Sequence, residues 1–266
     1  METEARPGAV SGKVVVIIFV IVVASVVGAL VWYKSRPQTL PPALNEENGV
    51  MLLIPAGPFR HGAENIEAAA APPFYMDRIE VTNRLFGKFC AATGHPLPPD
   101  FPPDRPEDPV VNVTIEDATL FAKWAGKRLP NALEWEKAYR GPNGRKYPWG
   151  DDPDPVRAVV SDNPKLAEHK VMPADSWPEG GSPYNILHMA GNVAEYVRTL
   201  NSPTPADIER MSRLVTPPPT ARDLWYQIKG GSFNQPLEAA LPWKSTAVPV
   251  TFRAPSVGFR CVKDHP

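Results

Sequence analysis

Thiols are scarce in this chain. Among 266 residues there are only two cysteines, Cys90 and Cys261. Two cannot make a disulfide framework, and sequence alone does not say whether they meet to form a single bridge. Excess charge is also missing. Lys and Arg number 28 against 29 Asp and Glu, a formal net charge of -1, so nothing electrostatic points to nucleic acid as a partner. There is no phosphate-cradling glycine loop and no internal repeat. The five histidines, His61, His95, His169, His188 and His265, share no ligand-like spacing of the kind a two-His, one-carboxylate iron site needs. A Ser-His-Asp arrangement is spatial rather than sequential, and nothing in the sequence marks one. Proline is what abounds, at 34 residues. It breaks helices and central strands, so many loops and short elements are expected.

One long apolar run is present. Residues 14–32 read VVVIIFVIVVASVVGALVW, without charge or proline. Nineteen helical residues span roughly 28 Å, about one hydrocarbon core. Trp32 and Tyr33 sit where interfacial aromatics belong, followed by Lys34 and Arg36. A cleaved signal peptide has a shorter apolar region and a small-residue cleavage site, whereas this run ends in WYKSRP. The expectation is a head over residues 1–13, a transmembrane helix over 14–33, a Pro-rich linker over 34–48 and a globular domain over 49–266. Basic residues flank the helix almost equally, so the positive-inside rule is close to a tie. The short head before a long C-terminal domain favours a domain on the extracytoplasmic, periplasmic side. Ala24 and Gly28 form a small-xxx-small pair of the kind that packs helices in membranes.

Within the domain, residues 51–54 form an apolar run stopped by Pro55, expected to be an edge strand, and residues 74–81 form a second strand. Thr82, Thr114 and Asn131 each read as helix N-caps, the last two with Asp117 and Glu134 three residues on. The helices they open are expected to bury Leu85, Phe86, Phe89 and Cys90; Leu120, Phe121 and Trp124; and Leu133, Trp135 and Ala138. Gly94 and Gly126 stop the first two. Beyond Tyr147 helical periodicity fades. Helices first and irregular strands later indicate α+β rather than βαβ repeats.

These pieces resemble one family. Residues 124–141, WAGKRLPNALEWEKAYRG, followed by YPWG at 147–150, are similar to the W-x-G-x-R-L-P-T-E-x-E-W-E-x-A-x-R-G and P-W-G of sulfatase-modifying-factor, or formylglycine-generating-enzyme, domains. IPAG at 54–57, YMDRIEVTN at 75–83, PVVNVTIEDA at 109–118, MAGNVAEY at 189–196, KGGSF at 229–233 and VGFRC at 257–261 match further family segments in the family's order. The resemblance implies a loop-rich α+β fold related to C-type lectins. Most of these matches also have a purely structural reading, so they argue fold better than activity.

Active members of that family oxidise a substrate cysteine to formylglycine, using a cysteine pair that binds copper just after the G-G-S turn. Soft Cu(I) prefers thiolates. Here Gln235 and Ala240 fall at the two positions, so copper is not expected and no catalytic residue is assigned. The resemblance also implies a structural cysteine at Cys261, but its usual partner position holds Ala122. The family's iron-dependent, sulfur-transferring relatives carry ligands in an extra helical domain, and such an iron site is not expected from these residues. Calcium is the one cofactor entertained: the family's G-N-x-W-E segment binds it through oxygen ligands, which maps to Asn192 and Glu195, with a second site near Asp162 and Asn163. Ala194 and Tyr196 depart from the family's tryptophans. The bland alternative pairs Glu195 with a neighbouring Arg.

The expected function is therefore that of a membrane-anchored accessory, maturation or binding module for a membrane or envelope protein. The alternative is a divergent metal-dependent oxidoreductase with a relocated active site; a lectin-like binder rests on fold analogy alone. The Pro-rich insertion over 202–225, with Arg210, Arg213 and Arg222, is expected to cover the cleft or face a partner, or to be a tolerated surface loop.

Overall fold

The computed structural model describes residues 41–265. The predicted membrane helix over 14–33 and the head before it lie outside the described residues. Among the described residues, no helix is long and apolar enough to cross a membrane.

The first sheet begins inside the expected linker. Strand β1 (Ala43–Glu46) forms a hairpin with β2 (Gly49–Ile54), pairing Ala43 with Leu52 and Glu46 with Gly49. Gly49 takes the positive φ of 108° that the turn demands. The domain thus starts before residue 49, and β2 is internal rather than an edge: it lies between β1 and β5 (Phe74–Asp77), which in turn pairs with β10 (Val262–Asp264). All four residues of β5 are buried. A separate hairpin joins β3 (Gly57–His61) to β4 (Ile66–Ala71). The last sheet runs β8 (Thr246–Pro249), β7 (Trp225–Lys229), β6 (Ala194–Leu200), β9 (Val257–Gly258), antiparallel except for the β6–β9 pair.

The three expected helices form where their caps put them. Thr82 accepts from the Leu85 amide at the head of α1 (Asn83–Thr93), and Gly94 ends it with φ 75°. Reciprocal capping boxes open α2 (Ile115–Trp124) at Thr114/Asp117 and α3 (Ala132–Arg140) at Asn131/Glu134. Each such cap contributes about 1 kcal/mol. Phe86 stacks on Phe121 at 5.8 Å, and Phe259 meets Phe121 edge-on at 5.4 Å, which joins α1 and α2 to the C-terminal strands in one core. A second core centres on Trp135 and Tyr139 of α3, against Met76, Met189 and Val262. Leu120 and Leu133, expected inside, are 49% and 47% exposed; each lies at the margin of its helix's apolar stripe, where periodicity alone does not decide burial. A further helix, α4 (Pro205–Ser212), lies in the insertion that reads as Pro-rich loop. Thr204 and Asp207 form its capping box, and proline occupies its first turn.

Candidate functional site

Five charged side chains meet in the interior around Arg260, which is fully buried. Its Nε lies 2.9 and 2.8 Å from the two oxygens of Glu195, and its Nη2 lies 2.6 Å from Oε1. The same Nη2 donates to the Leu187 carbonyl at 2.8 Å. The indole Nε1 of Trp135 donates to Glu195 Oε2 at 2.9 Å. Asp77 accepts from Lys127 Nζ at 2.7 Å and from the Cys261 amide at 2.9 Å. Glu80 accepts from Asn192 Nδ2 at 3.0 Å through Oε1, while its Oε2 has no hydrogen-bond partner among the described residues and lies 3.9 Å from Arg260. Three carboxyls thus face two cations. Burial, the largest cause, pushes Glu80 up to about 8, against the pull of Arg260, so Glu80 is the carboxyl that keeps its proton near neutrality.

This cluster accounts for two of the three residues expected to ligate calcium. Glu195 has both oxygens engaged by Arg260 and Trp135. Asn192, at φ 60°, accepts from the Met172 amide at 3.0 Å and donates to Glu80 and to the Met172 carbonyl. Asn163 lies apart from these contacts: it donates to the Ala158 carbonyl at 2.7 Å and accepts from the Lys165 amide at 2.9 Å. A cation on Glu195 would meet the guanidinium that already neutralises it. The side-chain oxygens of Glu195 and Asn192 are thus already engaged within the protein, and among the described residues no three His, Cys, Asp or Glu side chains are grouped to hold a metal ion. The Ala194 and Tyr196 departures are absorbed by packing, since Tyr196 is buried and its hydroxyl donates to the Phe252 carbonyl.

A cleft of about 790 Å³ opens beside the Gly230-Gly231-Ser232 turn. Both glycines have positive φ, 94° and 67°. A side chain on Gly231 would press on the backbone of Ala239 and Ala240 at 3.1–3.2 Å. Ser232 Oγ lies 2.8 Å from Asn234 Oδ1 and 3.1 Å from Gln235 Oε1, so its one proton goes to an amide oxygen. Gln235 lines the cleft and Ala240 is fully buried. Helix α4 supplies Arg210 and Met211 to the wall and Leu214 follows it there, so the insertion borders the cleft. Lys229, at the end of β7, also lines it and is 5% exposed.

Both thiols are free and lie in the core that α1 and α2 build. Burial pushes each up from the ordinary thiol range, Cys261 most strongly. Neither is where a Cu(I) dithiolate would form beside Ser232, and the residues there do not fit copper. His188, buried at φ 54°, is pushed down to about 3 by burial and by Arg260. Its Nε2 lies 3.3 Å from Ser176 Oγ, but that hydroxyl donates to the Pro173 carbonyl at 2.6 Å, so the serine is not activated.

The match of residues 37–265 to the model of the sulfatase-modifying factor enzyme 1-like domain decides the family. The chain belongs to it. Its relatives in this family include the uncharacterized protein YfmG of Bacillus subtilis, 28% identical over 83% of this chain, of which this chain spans about half, 55%. The formylglycine-generating enzyme of Mycobacterium tuberculosis is 26% identical over 79% of this chain and 96% of that enzyme. Among solved structures, PvdO from Pseudomonas aeruginosa superposes with a TM-score of 0.66 at 19% identity, over 86% of this chain and all of PvdO; that likeness speaks to fold. The sulfatase-modifying-factor motifs of the sequence now have physical roles. The Glu of the M-x-G-N segment and the Arg of G-F-R are Glu195 and Arg260, partners in the buried ion pair. The Trp of the L-E-W-E stretch is Trp135, which donates to Glu195. Four residues escaped the sequence reading: Asp77, Glu80, Lys127 and Lys229. All stand inside matched motifs, yet a motif does not report a buried ion pair, an unpaired oxygen or an unmatched ammonium.

Proposed function

We propose that this chain is a membrane-anchored member of the sulfatase-modifying-factor family that recognises a partner protein at a membrane or envelope rather than oxidising cysteine with copper. One observation carries the reading. At the G-G-S turn the cleft presents Gln235, with Ala240 behind it, and both thiols of the chain are buried elsewhere. An amide and a methyl group cannot bind Cu(I) as two thiolates do. Meanwhile a buried ion pair and two capping boxes hold the domain together beside this cleft. The cleft is walled by the insertion, which suits recognition of a polypeptide segment. The apolar run over 14–32 supports an anchor that holds the domain, on the extracytoplasmic side, at high local concentration near one partner. This reading is tested by titrating Cu(I), held by a colorimetric chelator, with the full chain in detergent. The reading expects no copper to leave the chelator. Tight one-to-one uptake, lost when the thiols are alkylated, would overturn it.

A further inference from the structure

Lys229 is the one cleft-lining cation without a carboxylate among the described residues. Lys244 pairs with Glu238 at 2.7 Å and Arg210 with Asp207 at 2.6 Å. Lys229 Nζ has a single long hydrogen bond, 3.4 Å to the Lys244 carbonyl, and sits 5.5 Å over the Trp135 ring. An ammonium has three protons to place, and burying one without a partner anion is costly. The groups facing it do not cancel its charge. Glu195, its cross-strand neighbour on β6, is spent on Arg260. On α3, Glu136 attracts it but is already held by Arg140, 2.8 Å away, and Arg140 repels it. Burial, the largest cause, pushes Lys229 down to about 8.

We propose that Lys229 is the anchor of a carboxylate-binding subsite at the inner wall of this cleft, and that the segment or molecule recognised there presents a single negative charge. A monoanion matches one unmatched ammonium; a dianion would carry surplus charge toward Glu136. Ser245, Thr246 and Ser256, also lining the cleft, offer hydroxyl donors to a carboxylate's remaining lone pairs. This inference rests on the reading of the cleft as a recognition surface. It is separable from it, because copper turnover would sink that reading and leave carboxylate binding measurable.

The test uses the full chain in detergent. Lys229 is labelled with an amine-reactive anhydride, its modification is quantified by mass spectrometry, and a blocked tripeptide with a free C-terminal carboxylate is compared with the same peptide amidated. The subsite predicts that the acid slows labelling of Lys229 at least fivefold and the amide does not. Acetate protecting as well as the peptide at equal concentration assigns the carboxylate to a small molecule; the peptide protecting at far lower concentration assigns it to a polypeptide terminus. By calorimetry Lys229→Met weakens binding of the acid peptide at least tenfold. Equal protection by acid and amide, protection by inorganic phosphate alone, or undiminished binding to K229M overturns the proposal. The acid-against-amide comparison needs no variant, so it stands even if K229M fails to fold.

Discussion

Arg260 grips Glu195 through Nε and Nη2 at once, at 2.6–2.9 Å, with neither side chain more than 1% exposed. Their strands, β6 and the segment after β9, are 65 residues apart in sequence. The guanidinium also ties the Leu187 carbonyl and approaches the Asp77 and Arg78 carbonyls at 3.3 and 3.4 Å. One side chain therefore clamps three segments that carry family motifs. Replacing Arg260 by Met strands Glu195 as a buried unpaired charge, a loss of about 3–5 kcal/mol. Lysine cannot reproduce the fork, so Arg260→Lys is expected to fall short of full stability as well. Urea denaturation of both variants checks this; a loss below about 1 kcal/mol for R260M would contradict it.

Glu80 gives the fold a pH dependence with a definite sign. Its folded value, about 8, lies above the ordinary carboxylate value of 4.5. Between those limits the folded state holds a proton that the unfolded chain has lost, so this contribution is fully present below 4.5 and declines as pH rises through 8. His188 acts on the acid side with the opposite slope: its folded value, about 3, lies below 6.5, so its contribution is lost as pH falls from 6.5 toward 3. The difference curve between wild type and Glu80→Gln isolates the carboxyl. Glu80→Gln should flatten the decline between pH 6.5 and 8; parallel curves for the two proteins would contradict the assignment.

Calcium should have little effect on stability. With Glu195 engaged by Arg260 and Asn192 by Met172 and Glu80, added calcium has no ready carboxylate in this cluster. Melting curves in millimolar calcium and in chelator are expected to agree within about 1 °C, since a ligand that binds only the folded state raises Tm. A calcium-dependent rise of several degrees would contradict the coordination argument.

The true start of the domain is open to a simple truncation. A chain beginning at Gly49 lacks β1 and leaves the backbone edge of β2 unpaired, a template for association. It also loses the Pro41 carbonyl that accepts from Tyr75 Oη at 2.9 Å. Compared with a chain beginning at Pro41, it is expected to melt several degrees lower and to self-associate in sedimentation. Equal behaviour would return residues 41–48 to the linker.

Local chemistry was legible and long-range pairing was not. Thr82, Thr114 and Asn131 announce helices because a cap is decided by residues three apart. The same signal was present at Thr204-Pro205-Ala206-Asp207, but surrounding prolines disguised α4 as loop. Ala43–Glu46 was misread because two prolines precede it and it has no apolar alternation; only pairing with β2 makes it a strand. At the site, the motifs located Glu195 and Asn192 and left an arginine or a metal as alternatives for Glu195; the fold decides it by bringing Arg260 onto Glu195 from 65 residues away. Lys229 was visible in K-G-G-S, while its missing counterion is a property of residues from α3, β6 and the segment after Ala240 together.

The cleft is tested most directly when copper, oxygen and a thiol substrate are all supplied to it. The full chain in detergent, reconstituted with Cu(I), is given a Cys-x-Pro-x-Arg peptide while oxygen uptake is followed at an electrode and the peptide is weighed by mass spectrometry. A recognition domain leaves the cysteine intact and consumes oxygen no faster than a control without protein. Multiple turnovers to the formylglycine aldehyde would contradict the account.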